Sequence, residues 1–143
     1  RFIAFGAEED GLLGSHYHAK THAAELRKGR FMLNCDTPSF GRPRGLAFHE
    51  CPRAAAYMAK LSEQMRTELV CQNRSHRHSD HYPFILQGLP TAGIGGGPFG
   101  PLGRQYPHTA ADTLDKISLT DLRDCAAFSA RILLRVASDD AWP

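Results

Sequence analysis

The first third of the chain alternates between short apolar runs and segments of helical spacing. Residues 1–5 open the chain on an apolar run that predicts a strand. Behind Ser15, a suitable N-cap, small and apolar residues recur at helical spacing, which predicts a helix over residues 15–28. Residues 30–35 then predict a second strand. Strand, helix and strand in this order are typical of a βαβ unit with a parallel sheet.

The middle of the chain holds the longest helical pattern. It covers residues 52–70, with Pro52 suited to the first turn and four large apolar residues on one face. Polar residues 72–78 predict a loop. Beyond them the pattern predicts a short helix over residues 80–86 and a third strand over residues 89–94.

The last part of the chain is a glycine-rich loop followed by a helix. Residues 93–103 hold six glycines and two prolines, which predicts a mobile surface loop. Ser118 and Asp121 form a capping box that opens an amphipathic helix, and we expect this helix to pack on the sheet. The pattern predicts an α/β fold, part of a mixed and mainly parallel sheet flanked by helices, in a single domain over residues 1–143.

Composition excludes several classes of protein. The chain has 143 residues, 42% hydrophobic and 22% charged, and a net charge of +2, which argues against disorder and against a dedicated nucleic-acid binder. No apolar run approaches the ~20 residues that span a bilayer. The chain opens on an apolar run without an initiator Met, so we expect a fragment whose N-terminal part is missing.

The four cysteines are widely spaced. Without a C-x-x-C pair, a cysteine-based zinc finger is disfavoured. If the cysteines are oxidised, three pairings are possible and the sequence does not choose among them. Four cysteines are too few for a disulfide-held miniprotein of this length, so mostly buried free thiols are the preferred interpretation.

Four side chains could carry chemistry. Glu8 and Glu9 lie in a glycine-flanked turn after the first predicted strand, and Asp36 follows the second, so these carboxylates could point into the crevice where α/β sheets bind ligands. His108 follows the glycine-rich loop, and Asp112, four residues on, could fix the tautomer of its imidazole. Each residue taken alone is better explained as a solvated turn or loop residue.

The combination is more specific than its parts. Four segments occur in one order: residues 6–15 (GAEEDGLLGS), 34–36 (NCD), 79–84 (SDHYPF) and 108–115 (HTAADTLD). Together they resemble the C-terminal half of the catalytic domain of the co-catalytic zinc exopeptidases of metallopeptidase family 28, the aminopeptidase Y and glutamate carboxypeptidase II type. The resemblance runs from Phe2 to about Ala137. It implies a zinc exopeptidase fold in three layers whose N-terminal part is missing.

The resemblance assigns roles to individual residues. Glu8 matches the general base that takes a proton from a metal-bridging water. Glu9 and His108 match two ligands of one zinc, and Asp36 matches a ligand of the other. Tyr106 lies near the position where relatives stabilise the oxyanion. Two departures are visible: Pro107 separates Tyr106 from His108, and the residues on either side of Asp36 differ from the usual ones.

The implied function is removal of terminal residues from a peptide substrate by a water that two zinc ions activate. The family contains both aminopeptidases and carboxypeptidases, so the attacked end stays open, with an aminopeptidase preferred. The family also holds a His-x-Asp motif and a bridging Asp upstream of the Glu pair, so this chain would supply three of about five ligands. We therefore expect weak zinc binding and no peptidase activity from the chain alone. Two alternatives stay open: a glutaminyl cyclase-like acyltransferase with one zinc, and a non-catalytic receptor-like relative. Localisation also stays open, with a secreted or extracytoplasmic site as the family's suggestion.

Overall fold

The structure is a computed structural model that describes residues 1–36, 38, 43–66, 70–73, 77–96, 106 and 108–143. Among these residues, four strands form one sheet: β1 (Met32–Asn34), β2 (Pro43–Phe48), β3 (Val70–Asn73) and β4 (Thr91–Gly96). Five α-helices of the described chain accompany it: α1 (Leu13–Thr21), α2 (Ala23–Leu26), α3 (Pro52–Gln64), α4 (Tyr82–Ile85) and α5 (Leu119–Ser138). A short 3₁₀ turn, Leu114–Lys116, precedes α5.

The strand order is β1-β4-β2-β3. β1 pairs parallel with β4 and β2 pairs parallel with β3, whereas β2 and β4 are antiparallel. The sheet is therefore mixed and mainly parallel, and helices accompany it, which confirms the α/β fold class that the sequence predicts.

The core lies between the two central strands and the two long helices. Leu46 and Phe48 of β2 join one buried cluster with side chains of β4, α3 and α5, among them Met58 and Ile132. α5 begins where the capping box predicts, because the Ser118 hydroxyl accepts a 3.2 Å hydrogen bond from the backbone N–H of Asp121.

The C-terminus closes over the start of β1. The indole Nε1 of Trp142 donates a 3.0 Å hydrogen bond to the carbonyl oxygen of Arg30. The same indole packs edge-on against Phe31, with ring centres 5.1 Å apart, and against Tyr57 of α3 at 5.2 Å. The hydroxyl of Tyr57 also donates to the carboxylate of Asp139, just after α5. These contacts hold strand, helix and C-terminus together.

Several predicted elements need correction. Residues 1–5 form no strand, and the side chain of Phe2 is 96% exposed, because no strand of the described chain pairs with this run. The first predicted helix starts earlier, at Leu13, and is interrupted at His22, whose backbone leaves helical geometry. β2 was not predicted, and β3 includes two residues of the predicted loop 72–78.

Other boundaries shift by a few residues. α3 ends at Gln64 rather than at residue 70, and β4 extends to Gly96, into the predicted glycine-rich loop. Residues 97–103 of that loop lie outside the described residues. Among the described residues, no helix is both long enough and apolar enough to cross a bilayer.

Candidate metal centre

A tight turn, rather than a strand end, positions Glu8 and Glu9. The backbone N–H of Leu12 donates to the carbonyl of Glu8 at 2.9 Å, and the N–H of Gly14 donates to the carbonyl of Gly6 at 3.1 Å. Ala7 and Leu12 hold left-handed φ values of 56° and 60°, a conformation that non-glycine residues rarely adopt. Such strain is concentrated at functional sites, so its presence on both sides of the two glutamates supports a role for them.

Gly14 permits this turn to lie against the first turn of α1. A Cβ at this position would be 2.6 Å from the carbonyl oxygen of Gly6, closer than real Cβ contacts. The neighbouring Ser15 is buried and donates from its hydroxyl to the carbonyl of Leu12 at 3.1 Å. The glycine therefore lets the helix fix the backbone that carries Glu8.

Glu9 and His108 lie side by side although 98 residues separate them in the sequence. The imidazole Nδ1 of His108 is 3.1 Å from Oε1 of Glu9, and both side chains are largely exposed. His108 also holds a left-handed φ of 63°. Its turn is closed by Thr109, whose backbone N–H donates to the carbonyl of Tyr106 at 3.0 Å.

The electrostatics of Glu8 show that the sequence-predicted residues share one environment. Burial raises the pKa of its carboxyl most, and three neighbouring acidic side chains raise that pKa further: Glu9, Asp36 and Asp80. The positive form of His108 acts in the opposite direction and lowers it. The structure thus brings Glu9, Asp36 and His108 within electrostatic range of Glu8.

A hydrogen-bond chain orients Asp36 beyond the end of β1. The amide Nδ2 of Asn34 donates to the Ser79 hydroxyl at 2.7 Å. That hydroxyl donates in turn to Oδ2 of Asp36 at 3.0 Å. Because the amide occupies an acceptor site of the hydroxyl, the hydroxyl proton is directed at the carboxylate, which leaves Oδ1 of Asp36 outside this chain.

Ser79 and Asp80 also lie at the candidate site, although the sequence alone assigned them no role. Oδ1 of Asp80 is buried and has no hydrogen-bond partner among the described residues. The next residue, His81, is buried and stacks on His49, with ring centres 3.7 Å apart, which anchors this segment beside the end of β2. The sequence did contain a signal for Ser79 and Asp80, because both belong to the SDHYPF segment that contributes to the family resemblance.

Two predicted residues lie at the edge of this cluster. The ring of Tyr106 faces the ammonium of Lys116, 5.4 Å from the ring centre. Asp112 is exposed and its backbone N–H donates to the carbonyl of Thr109. In the part of the chain that the structure describes, its carboxylate has no hydrogen bond to His108, whose Nδ1 faces Glu9 instead. The proposed tautomer-fixing contact of Asp112 is not formed in this arrangement.

Cys35, which precedes Asp36, also has a specific environment. The thiol of Cys125 donates a hydrogen bond to its sulfur and lowers the pKa of Cys35 to about 6, with a further hydrogen bond from Ser129. The same contact raises the pKa of Cys125. All four cysteines are free thiols, but only Cys125 is fully buried, so the expectation of mostly buried thiols is too broad.

The donor set fits zinc in part. Carboxylate oxygens and an imidazole are zinc ligands, and the approach of Glu9 to His108 brings one of each together. The crowded carboxylates around Glu8 and the orphaned oxygen of Asp80 favour a cation nearby. Within the described ranges, however, no three His, Cys, Asp or Glu side chains are grouped closely enough to hold a metal ion.

The structure combines a mixed sheet with acidic side chains and a histidine that lie near the end of one strand. This architecture is typical of the metallopeptidase class that the sequence resembles. The model of peptidase family M28 matches residues 1–133. The chain belongs to peptidase family M28.

Curated relatives carry aminopeptidase names. The chain is 34% identical over 106 residues to the probable leucine aminopeptidase 2 of Aspergillus oryzae, which covers 66% of this chain and 21% of that protein. It is 32% identical over 125 residues to aminopeptidase YwaD of Bacillus subtilis, covering 82% of this chain and 28% of that protein. The matched part of the chain therefore spans 21% and 28% of the length of these two relatives.

Solved structures give the same family. A peptidase M28 precursor from Shewanella amazonensis matches with a TM-score of 0.75 and 26% identity, over 96% of this chain and 31% of that one. BSAP, a zinc aminopeptidase from Bacillus subtilis, matches with a TM-score of 0.63 and 25% identity, over 90% of this chain and 35% of that one.

Proposed function

We propose that the chain is the C-terminal portion of the catalytic domain of a zinc-dependent exopeptidase, an aminopeptidase that removes N-terminal residues from peptides. One observation carries the proposal: Glu9, Asp36 and His108, far apart in sequence, lie within electrostatic range of the single carboxylate of Glu8. The aminopeptidase names of the relatives and the zinc of the BSAP structure support the substrate class and the metal.

Three side chains would hold metal. Glu9 and His108 would bind one zinc, and Asp36 would bind a second. The hydrogen bonds from Asn34 to Ser79 and from Ser79 to Asp36 would orient the Asp36 carboxylate. When bound, zinc polarises the scissile carbonyl and lowers the pKa of a coordinated water towards roughly 7. The incomplete grouping within the described residues, together with the small share of the relatives that the chain spans, supports a ligand set completed by further residues.

Glu8 would move the proton. Burial and neighbouring carboxylates raise the pKa of its carboxyl, which brings it closer to neutral pH, where a group both accepts and returns a proton efficiently. Its carboxylate would accept a proton from the attacking water and donate it to the leaving amine. The strained turn on either side holds Glu8 in place for both transfers.

Tyr106 would donate a hydrogen bond from its hydroxyl to the oxygen that becomes negative during attack. Its backbone carbonyl accepts hydrogen bonds from Thr109, so the same turn positions Tyr106 and His108. Peptide is the proposed partner, and a net charge of +2 provides little attraction for nucleic acid.

The test uses the longest natural polypeptide that contains this sequence, with an aminoacyl-p-nitroanilide as substrate and metal content measured by mass spectrometry. We expect two zinc ions per protein. Glu8→Gln should lower kcat by about 10²–10⁴-fold with zinc retained. The matched control Glu63→Gln, an exposed glutamate near the end of α3, should keep full activity.

Other outcomes would replace the proposal. One zinc per protein with cyclisation of N-terminal glutamine would favour the acyltransferase alternative. Absence of bound metal after purification in zinc would favour a non-catalytic relative. For the 143-residue chain on its own we expect weak zinc binding and no hydrolysis, and robust hydrolysis by it would show that the ligand set is complete without further residues.

A further inference from the structure

Two of the four thiols meet where a strand end packs against a helix. Cys35 lies just beyond β1 and is exposed, whereas Cys125 lies in the second turn of α5 and is buried in the core cluster. The two thiols are close enough for each to shift the pKa of the other. The sulfur of Cys35 is also 3.7 Å from the hydroxyl of Ser129, one helical turn beyond Cys125 on the same face of α5.

The other two cysteines have a different setting. Cys51 precedes α3, and Cys71 lies on β3; both pack partly buried against the core. Among the described residues, neither thiol has a disulfide or a hydrogen bond to another cysteine. Of the possible cysteine pairs, the structure therefore brings together Cys35 and Cys125.

We propose that Cys35 and Cys125 are a redox modification site that forms a reversible intramolecular disulfide, with a low-molecular-weight disulfide as the oxidant. The sulfur of Cys35 attacks the oxidant, for example glutathione disulfide, and breaks its S–S bond. A mixed disulfide forms on Cys35, and one glutathione leaves as the thiol with one of the two protons.

The second step closes the protein disulfide. The sulfur of Cys125 attacks the Cys35 sulfur of the mixed disulfide, and the second glutathione leaves with the remaining proton. Two protein thiols are thus oxidised while one glutathione disulfide is reduced to two thiols. Burial of Cys125 and exposure of Cys35 set the order, since only Cys35 is open to the oxidant.

The disulfide would join the end of β1 to the second turn of α5 and close a loop over residues 36–124. A crosslink that closes a long loop restricts the unfolded chain strongly, so the oxidised protein should unfold at a higher temperature than the reduced protein. The joined residue is also directly before Asp36, so the crosslink would fix the backbone at that position.

The test incubates the full 143-residue chain, folded and without denaturant, in glutathione disulfide. Free thiols are counted, and peptides are mapped by mass spectrometry without reduction. We expect the thiol count to fall from four to two, one Cys35–Cys125 linked peptide, and an increase in Tm of roughly 5 °C or more. Dithiothreitol should restore all four thiols.

Variants separate this site from general oxidation. Cys51→Ser with Cys71→Ser should still form the linked peptide. Cys125→Ala should retain glutathione on Cys35, since no second thiol can displace it. Cys35→Ser should keep its three remaining thiols free after the incubation. A linked peptide containing Cys51 or Cys71, or stable glutathione on Cys35 of the unsubstituted chain, would overturn the proposal. The thiol count and the peptide map of the unsubstituted chain test the proposal even if one of these variants fails to fold.

Discussion

At Glu8, burial and three acidic neighbours raise the pKa of one carboxyl, while His108 acts against them. A raised pKa in the folded state means that folding favours the protonated acid, so the contribution of Glu8 to stability falls as pH rises from its ordinary value of 4.5 through the folded pKa. Above that window the ionised carboxylate is a net cost to the folded chain.

Glu8→Gln removes this cost. With zinc chelated, we expect the variant to have a Tm above that of the unsubstituted chain by about 1–3 °C at neutral pH, and the difference to disappear well below pH 4. Calorimetry across pH measures it. Glu63→Gln serves as the control and should show no such pH dependence; a constant difference for Glu8→Gln would contradict the explanation.

Ser79 is the residue through which Asn34 acts on Asp36. Ser79→Ala removes the hydrogen bond that holds the Asp36 carboxylate, so zinc affinity should fall by about 10–100-fold, the usual effect of losing a group that orients a ligand. Isothermal titration with zinc measures it. Ser62→Ala, which removes an exposed hydroxyl on α3, should leave the affinity unchanged, and equal effects of the two substitutions would exclude the positioning role.

The sequence named four residues of the site, but not the partners that orient them. Glu8, Glu9, Asp36 and His108 stood out because the matching segments carry them in a fixed order. The contact of Ser79 with Asp36 joins residues 43 positions apart, and no local pattern encodes such a contact. Asp112 was considered a partner of His108 because it lies four residues further along the sequence, and the structure forms a turn over this segment.

At the level of elements, the packing of the residue 6–14 turn against α1 depends on a missing side chain. Gly→Ala inside an exposed helix stabilises a protein by about 1 kcal/mol. At Gly14 the new Cβ would instead meet the Gly6 carbonyl at 2.6 Å, and backbone cannot easily yield. We expect Gly14→Ala to destabilise the chain by about 1–3 kcal/mol in urea unfolding.

Gly6→Ala is the matched control for that substitution. A Cβ on Gly6 would have no heavy atom within 4 Å, so its stability should change little. A stabilised Gly14→Ala variant would show that the turn can move away from α1, which would also weaken the argument that this contact fixes Glu8.

Helices were predicted better than strands, for a physical reason. α5 carries its own signals, a capping box and a continuous apolar face, so its start at Leu119 could be read locally. β2, with the sequence PRGLAF, shows no clear alternation and forms because β3 and β4 flank it on both sides. Residues 1–5 show the reverse: a strand-like run without a pairing strand in the described chain.

For the molecule as a whole, stability depends on the common core of sheet and helices. Ile132 of α5 is 0% exposed, whereas Leu134, two residues on, is 69% exposed. Ile132→Ala should cost about 2–5 kcal/mol in urea unfolding, because it leaves a cavity in the core. Leu134→Ala on the same helix should cost less than about 1 kcal/mol. Similar losses would mean that α5 packs through a different face.

The fold class followed from the order of helices and strands, but the sheet order did not. The antiparallel pairing of β2 with β4 makes the sheet mixed. This pairing could not be predicted, because the local sequence pattern does not indicate β2 as a strand. Strand order is settled by contacts between distant segments, and these become visible only in the folded chain.

The indole at residue 142 is the only tryptophan among 143 residues, and it is buried between two other aromatic rings and bonded to Arg30. Light at the long-wavelength edge of tryptophan absorption will therefore excite one defined fluorophore. Its emission should be blue-shifted in the native protein, where the indole is buried, and should move to longer wavelength when the C-terminus detaches. The fluorescence of Trp142 therefore reports, without any label, whether the C-terminus is packed against β1 and α3.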